Sequence, residues 1–267
     1  MKPMKKILIV YSERYQSLDD NNLQNHRIEK IQTLLHNHHI DVSCLSRAQL
    51  PNQISDCDCI LAAGGDGTVL TAAALTDHIP LCGIRILPES SVGFLCSLDY
   101  LDFIQNIPQI ISGNYKCRQL SRLSCCIDNT PLPFPILNEI LIAHASPARA
   151  SRYEIAFQNI KQIQCSSGIW IATAPGSHGA AQAAGALPLP RTDSRAVFCI
   201  RERSASSGCD APLSSAAFLP DENSPKIRIL SQDHRIFFDG GLKTVELQTG
   251  TIVSVKKHHA PLNEIYV

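Results

Sequence analysis

Nothing in this sequence of 267 residues announces a polyanionic partner: Lys plus Arg number 24, Asp plus Glu number 24, and the formal net charge is zero. A broad basic face for nucleic acid or for an anionic membrane is therefore excluded. Any polyanion must be held locally, by backbone amides and a few cations. No apolar run approaches the ~18 residues needed to span a bilayer. Lys2, Lys5 and Lys6 precede Ile7-Leu8-Ile9-Val10, but the run stops at Tyr11, shorter than the ~7–15 residues of a signal-peptide core. It reads as a buried opening strand. The 11 Cys are odd in number, scattered and without a CxxC pair; only Cys57/Cys59 and Cys125/Cys126 lie close together. That is no disulfide framework. It points to reduced thiols in a cytoplasmic protein, many of them serving as small buried apolar groups. The phosphate-binding pattern GxxxxGK[ST] and the nucleophile elbow GxSxG are absent, as are internal repeats and low-complexity tracts.

With 44% apolar and 18% charged residues the composition is globular. The first half alternates strands and helices. Strands are expected at Lys5–Tyr11, Ile40–Leu45, Cys57–Ala63 and Ile79–Ile84. Helices are expected at about 23–37, where Ile28, Ile31, Leu34 and Leu35 recur at helical spacing, at Thr68–Leu75, and at Leu98–Ile111 with a break near Pro108. This alternation implies a doubly wound parallel sheet over residues 1–115. From about residue 116 short β runs follow one another, including Ser121–Asp128, Ile136–Ala143, Tyr153–Gln158, Gly168–Thr173 and Ala196–Ile200. They imply a β-rich, sandwich-like second domain over 116–267, with the C-terminal tail free to return to the first. Its one expected helix is the Ala-rich Ser177–Ala186, and Ser204–Pro225 reads as an exposed loop.

The strongest chemical signal is Gly64-Gly65-Asp66-Gly67-Thr68. It closes a buried strand and opens a helix, where open α/β sheets bind ligands. Glycines admit positive φ and close approach of a ligand to the backbone, and the helix start offers amides to phosphate. Asp66 could meet Mg²⁺-phosphate or accept a proton from a hydroxyl. The bland alternative is a tight turn with Asp66 as helix cap, which does not require three glycines. Asn138-Glu139 at a strand end could read an adenine edge and hold ribose hydroxyls or Mg²⁺, or could simply cap a turn. Gly176-Ser177 is another potential amide-rich helix start, or a plain cap. The tract His36-Asn37-His38-His39 ends a helix and lacks a ligand framework, so it reads as a solvated turn, as do His258-His259. Trp170 reads as core, and Arg149 and Arg152 as solvated.

The Gly-Gly-Asp-Gly-Thr loop resembles that of the NAD kinases, the diacylglycerol and sphingosine lipid kinases and, in related form, phosphofructokinase. The segments that follow are similar to the NAD kinase family: Leu137-Asn138-Glu139-Ile140, then Ser167-Gly168 through Thr173-Ala174-Pro175-Gly176-Ser177, then Phe238-Asp239-Gly240-Gly241. They come in family order. Pro80–Ile84 and Gly93-Phe94-Leu95 echo the family's segment after the first motif. Departures are Ser167 for the family's Asp, His178-Gly179-Ala180 for Thr-Ala-Tyr, and Arg85 where an Asn is common. Ser167 and the small residues after Gly-Ser are similar to a divergent branch that includes the plant NADH kinases.

The resemblance implies transfer of the γ-phosphate of ATP, with Mg²⁺, to the 2′-hydroxyl of the adenosine ribose of NAD or NADH. It implies Asp66 as the catalytic group. Gly64, Gly65, Gly67, Thr68, Asn138, Glu139, Thr173, Ala174, Gly176, Ser177, His178 and Asp239 become binding residues, and no side chain a resident metal ligand. It also implies a homodimer or larger homo-oligomer with small-molecule substrates, and neither nucleic acid nor membrane as a partner. The alternatives are a lipid kinase sharing the loop, or a dinucleotide-binding regulator with weak or lost catalysis.

Overall fold

A computed structural model describes residues 2–13, 17–203 and 213–267. Two compact units emerge, one of residues 2–119 with 262–267, the other of residues 120–261.

The first unit opens with β1 (Lys6–Tyr11), α1 (Leu18–Asn37), β2 (Asp41–Ser46), β3 (Cys59–Gly64), α2 (Asp66–Ala73) and β4 (Leu81–Arg85). It continues through β5 (Leu98–Asp99), α3 (Tyr100–Ile111) and β6 (Lys116–Leu120). β1 pairs in parallel with β2 and with β3, and β3 in parallel with β4. The strand order therefore reverses beside β1, the kind of switch point that leaves a crevice at the carboxyl ends of the strands. Ile7, Ile9, Leu61, Ile84 and Phe103 share one core with Ile28, Ile31 and Leu35 of α1.

α1 begins at Leu18, about five residues before its expected start. Ser17 Oγ accepts the amide of Asp20, and Asp19 and Asp20 lie at the positive end of the helix dipole. At the other end His39 adopts a positive φ of 60°, so the exposed histidine tract is the turn that stops the helix. α3 is not broken at Pro108. The proline lies in the last turn, where its missing N–H removes a single ladder bond, while Phe103, Ile107 and Ile110 hold the helix on the core.

The second unit contains β7 (Leu123–Ile127), β8 (Thr130–Pro131), β9 (Glu139–His144), β10 (Ser151–Phe157), β11 (Ile160–Ser166), β12 (Gly168–Ala172), α4 (Ala180–Ala183) and β13 (Ala196–Arg201). β14 (Ser215–Phe218), β15 (Lys226–Ile229), β16 (His234–Phe238), β17 (Lys243–Leu247) and β18 (Ile252–Lys257) complete it. They form two six-stranded sheets, ordered β11-β10-β15-β18-β7-β8 and β14-β13-β12-β9-β16-β17. Alternate residues of the two sheets, such as Ile140, Ile171 and Phe238 on one and Ile155, Ile227 and Val255 on the other, share one core. The final strand, β19 (Leu262–Tyr266), returns to the first unit and pairs in parallel with β4.

Two expectations fail in this unit. The helix expected over Ser177–Ala186 is a short 3₁₀ turn, Pro175–His178, followed by the single α turn of α4. Gly176, Gly179 and Gly185 put three poor helix formers into eleven residues, and Gly185 closes α4 with φ +102°. The loop expected over 204–225 contains β14, antiparallel to β13; residues 204–212 lie outside the described residues. Among the described residues no helix is long and apolar enough to cross a membrane.

Candidate active site

β3 is buried along its whole length and delivers Gly64 and Gly65 to the carboxyl edge of the parallel sheet. Gly65 is the N-cap of α2, with extended backbone and no side-chain cap. Asp66 is thus the first helical residue rather than the cap. None of Gly64, Gly65 and Gly67 adopts a positive φ. Their requirement is steric. A Cβ at Gly64 would lie 2.3 Å from Thr68 Oγ1, one at Gly65 2.7 Å from Ser91 Oγ, and one at Gly67 3.2 Å from Arg47 Nη1. The missing side chains leave the first turn of α2 open on a cleft of about 220 Å³, lined also by Ser12, Ile86 and Leu87.

Asp66 Oδ1 accepts the amide of Leu95 at 2.7 Å. This ties the loop after β4 to the start of α2 and leaves the second carboxylate oxygen for other work. Arg85, at the position where an Asn is common in the family resembled, clasps the same loop. Its Nε and Nη2 donate to the two oxygens of Asp99 at 2.7 and 2.8 Å, and Nη1 donates to Val92 O at 3.1 Å. Gly93, at φ +60°, passes so close that a Cβ would meet Arg85 Cδ at 2.4 Å. Arg85 is therefore committed to holding the loop.

The remaining candidate residues gather at one place in the second unit. Asp239 is buried and its carboxylate takes three amides, from Asn138 at 2.7 Å, Leu137 at 3.1 Å and Glu139 at 3.2 Å. Glu139 Oε1 returns the link by accepting Gly240 N at 2.9 Å. Thr173 Oγ1 donates to Leu137 O at 2.6 Å and accepts Gly176 N at 3.0 Å. Ala174 is buried and its carbonyl accepts Ser177 Oγ–H at 2.7 Å. Ser177 Oγ in turn accepts Leu189 N at 2.8 Å, and His178 Nε2–H donates to Leu189 O at 2.8 Å.

The amides of Gly176, Ser177 and Gly179 are all spent on Thr173 and Gly176. The expected amide cradle at Gly176-Ser177 is therefore closed, and the segment is a brace for Asn138-Glu139. Asn138 is half-buried, and no protein partner for its carboxamide is found among the described residues. It can offer both a donor and an acceptor to a ligand.

Burial, and then the neighbouring Asp239, push Glu139 up to about 7. Burial pushes Asp239 up to about 6 against the pull of its three amides. Both carboxyls thus disfavour ionisation in the folded protein, and the stability they contribute at low pH is lost as pH rises through those values. A Glu139→Gln variant keeps an acceptor for Gly240 and cannot ionise. Between pH 4 and pH 8 it should lose about 3 kcal/mol less stability than the wild type, since each pKa unit is worth about 1.4 kcal/mol. Urea unfolding at the two pH values checks this; parallel losses in both proteins would count against a buried, proton-holding Glu139.

Most residues lining the first cleft carry no sequence motif, among them Ser12, Asp20, Arg47 and Ser91. The available signal was positional, since Ser12 and Arg47 directly follow β1 and β2 at the carboxyl edge.

The profile of the ATP-NAD kinase N-terminal domain matches residues 4–115. A probable NADH kinase of Oryza sativa subsp. japonica is 27% identical over 271 residues, covering 93% of this chain and 83% of that one. The NADH kinase of Arabidopsis thaliana is 29% identical over 268 residues, covering 88% and 81%. The crystal structure of yeast NADH kinase complexed with NADH superposes with a TM-score of 0.80 at 15% identity. That match covers 100% of this chain and 84% of the other.

Proposed function

We propose, from its similarity to the ATP-NAD kinase N-terminal domain and to plant NADH kinases, that the chain is an NAD(H) kinase that moves the γ-phosphate of Mg-ATP to the adenosine-ribose 2′-hydroxyl, with NADH preferred over NAD. The observation that carries the reading is the glycine-walled cleft at the carboxyl edge of the parallel sheet, opened by Gly64, Gly65 and Gly67 at the start of α2. The reduced-cofactor preference rests on similarity to the two plant NADH kinases across most of the chain and on Ser167 and Ala180 at the divergent positions.

The reaction needs little covalent help from the protein: positioning and charge stabilisation dominate phosphoryl transfer. The attacking hydroxyl loses its proton as its oxygen bonds to the γ-phosphorus and the bond to the β,γ-bridging oxygen breaks, releasing ADP. Asp66 takes or orients that proton with the carboxylate oxygen not engaged by Leu95. The first turn of α2 faces the donor phosphates. Asn138 and Glu139 hold the dinucleotide through its adenosine. A divalent cation accompanying ATP typically keeps several waters and one or two carboxylates. Asp20, the carboxylate lining the cleft beside the hydroxyls of Ser12, Ser90 and Ser91, fits that need. When bound, the ion would neutralise charge developing on the phosphates.

We further propose a cytoplasmic enzyme with reduced thiols, working as a homodimer or larger homo-oligomer. Parallel assays with NAD and NADH test the preference, and should give the higher kcat/KM with NADH. EDTA should abolish turnover with either substrate and excess Mg²⁺ restore it. A higher kcat/KM with NAD would remove the NADH preference, and activity in EDTA would remove Mg²⁺.

A further inference from the structure

Beyond the motif residues, and resting on the donor-binding role proposed for the first cleft, we infer that Arg47 is the side chain that anchors the phosphates of the nucleotide donor. Arg47 directly follows β2, and its amide donates to Tyr11 O at 2.9 Å, which fixes it beside the end of β1. From there its guanidinium reaches across the opening of α2. Nη1 lies 3.2 Å and Cζ 3.9 Å from the place a Cβ of Gly67 would occupy. Among the described residues lining this cleft, Arg47 is the one cation and Asp20 the one carboxylate.

When an anion enters this space, the backbone amides at the start of α2 and the guanidinium converge on the same oxygens. The planar fork of arginine suits two phosphate oxygens at once. Glycine at position 67 keeps the space between the two open. The hydroxyls of Ser90 and Ser91 border the same space and extend the donor set along a chain of phosphates. The competing role is structural, with Arg47 serving only to balance Asp20.

The test uses Arg47→Gln, Arg47→Lys and Asp20→Asn in the full chain. Steady-state kinetics with Mg-ATP and NADH are paired with thermal melts in the presence and absence of inorganic tripolyphosphate. Loss of a charge-assisted contact predicts that Arg47→Gln raises KM for Mg-ATP by about 30-fold, with Arg47→Lys in between. KM for NADH should stay within about twofold, since uniform binding to one substrate is all that is removed. The stabilisation by tripolyphosphate seen in the wild type should vanish. Unaltered KM for Mg-ATP, or a rise in KM for NADH alone, overturns the assignment. So does a fall in unliganded stability shared by Arg47→Gln and Asp20→Asn with tripolyphosphate binding intact. If the wild type made no NADPH yet bound tripolyphosphate through Arg47, the kinase reading would fail and the anion site would stand.

Discussion

Replacing Asp66 by Asn should lower kcat by about 10²–10⁴, the range over which a positioned general base contributes, while KM for both substrates and the melting temperature barely move. The geometry gives Asp66 two separable duties. One oxygen accepts Leu95 N and pins the loop after β4 to the start of α2. The duty proposed for the other is to take or orient the hydroxyl proton. Asparagine preserves the first duty, because its amide oxygen still accepts from Leu95, and its size and shape are unchanged. It ends the second, because an amide nitrogen cannot take a hydroxyl proton. A mutant within about tenfold of wild-type kcat would make Asp66 a positioning group for the loop and nothing more. Asp66→Ala removes both duties and should therefore lose stability as well as rate.

The second large effect is expected far from any proton transfer. Gly176→Ala should cost more than about 3 kcal/mol, the upper range for overpacking against atoms that cannot yield. A Cβ there would lie 1.9 Å from Asn138 O, 2.4 Å from Asn138 C and 2.8 Å from Asn138 Cα. These are backbone atoms, and they are held from two sides: Asn138 N donates to Asp239, and Asn138 O accepts Thr173 N at 3.0 Å. Relief would require breaking the brace that places Asn138 and Glu139. Gly185→Ala is the control. Gly185 has φ +102° but nothing within 4 Å of its missing Cβ, so its cost is the left-handed backbone alone, about 1–2 kcal/mol. Equilibrium unfolding of the two variants separates steric from conformational glycines. A Gly176→Ala loss no larger than that of Gly185→Ala would mean that the brace is plastic.

Much of the fold was legible because its strands announce themselves. Ile7-Leu8-Ile9-Val10 and Ile60-Leu61-Ala62-Ala63 are buried on both faces in a parallel sheet, and so read as unbroken apolar runs. β11 was illegible for the opposite reason. Its inward positions are Gln162, Gln164 and Ser166, with Gln164 Nε2 donating to Gln162 Oε1 at 2.8 Å, while Ile163 points outward. A polar pair turned inside the unit inverts the usual alternation and erases the period-2 signal. The return of the C-terminal tail was left open and β19 itself was not read, because a five-residue strand at the end of a β-rich stretch carries no mark of the distant sheet it joins.

At the candidate sites, residue types were easier to read than residue duties. The glycines of the first motif suggested either positive φ or close approach to the backbone, and the structure uses them for absent side chains alone. Gly176-Ser177 suggested an open anion cradle, whereas its amides are consumed internally. Asp239 accepts the backbone amides of Leu137, Asn138 and Glu139, a pairing across about a hundred residues that no local pattern can reveal. Arg47 belongs to no motif at all, and only the convergence of three strand ends brings it to Gly67.

The central claim is most directly tested by incubating the purified chain with Mg-ATP and NADH and assaying NADPH with an enzyme specific for the phosphorylated dinucleotide. The account predicts NADPH formed stoichiometrically with ADP, and none from Asp66→Asn on the same timescale. Binding of NADH without any NADPH, under conditions where the wild-type protein is folded, would contradict it and leave a dinucleotide-binding regulator in its place.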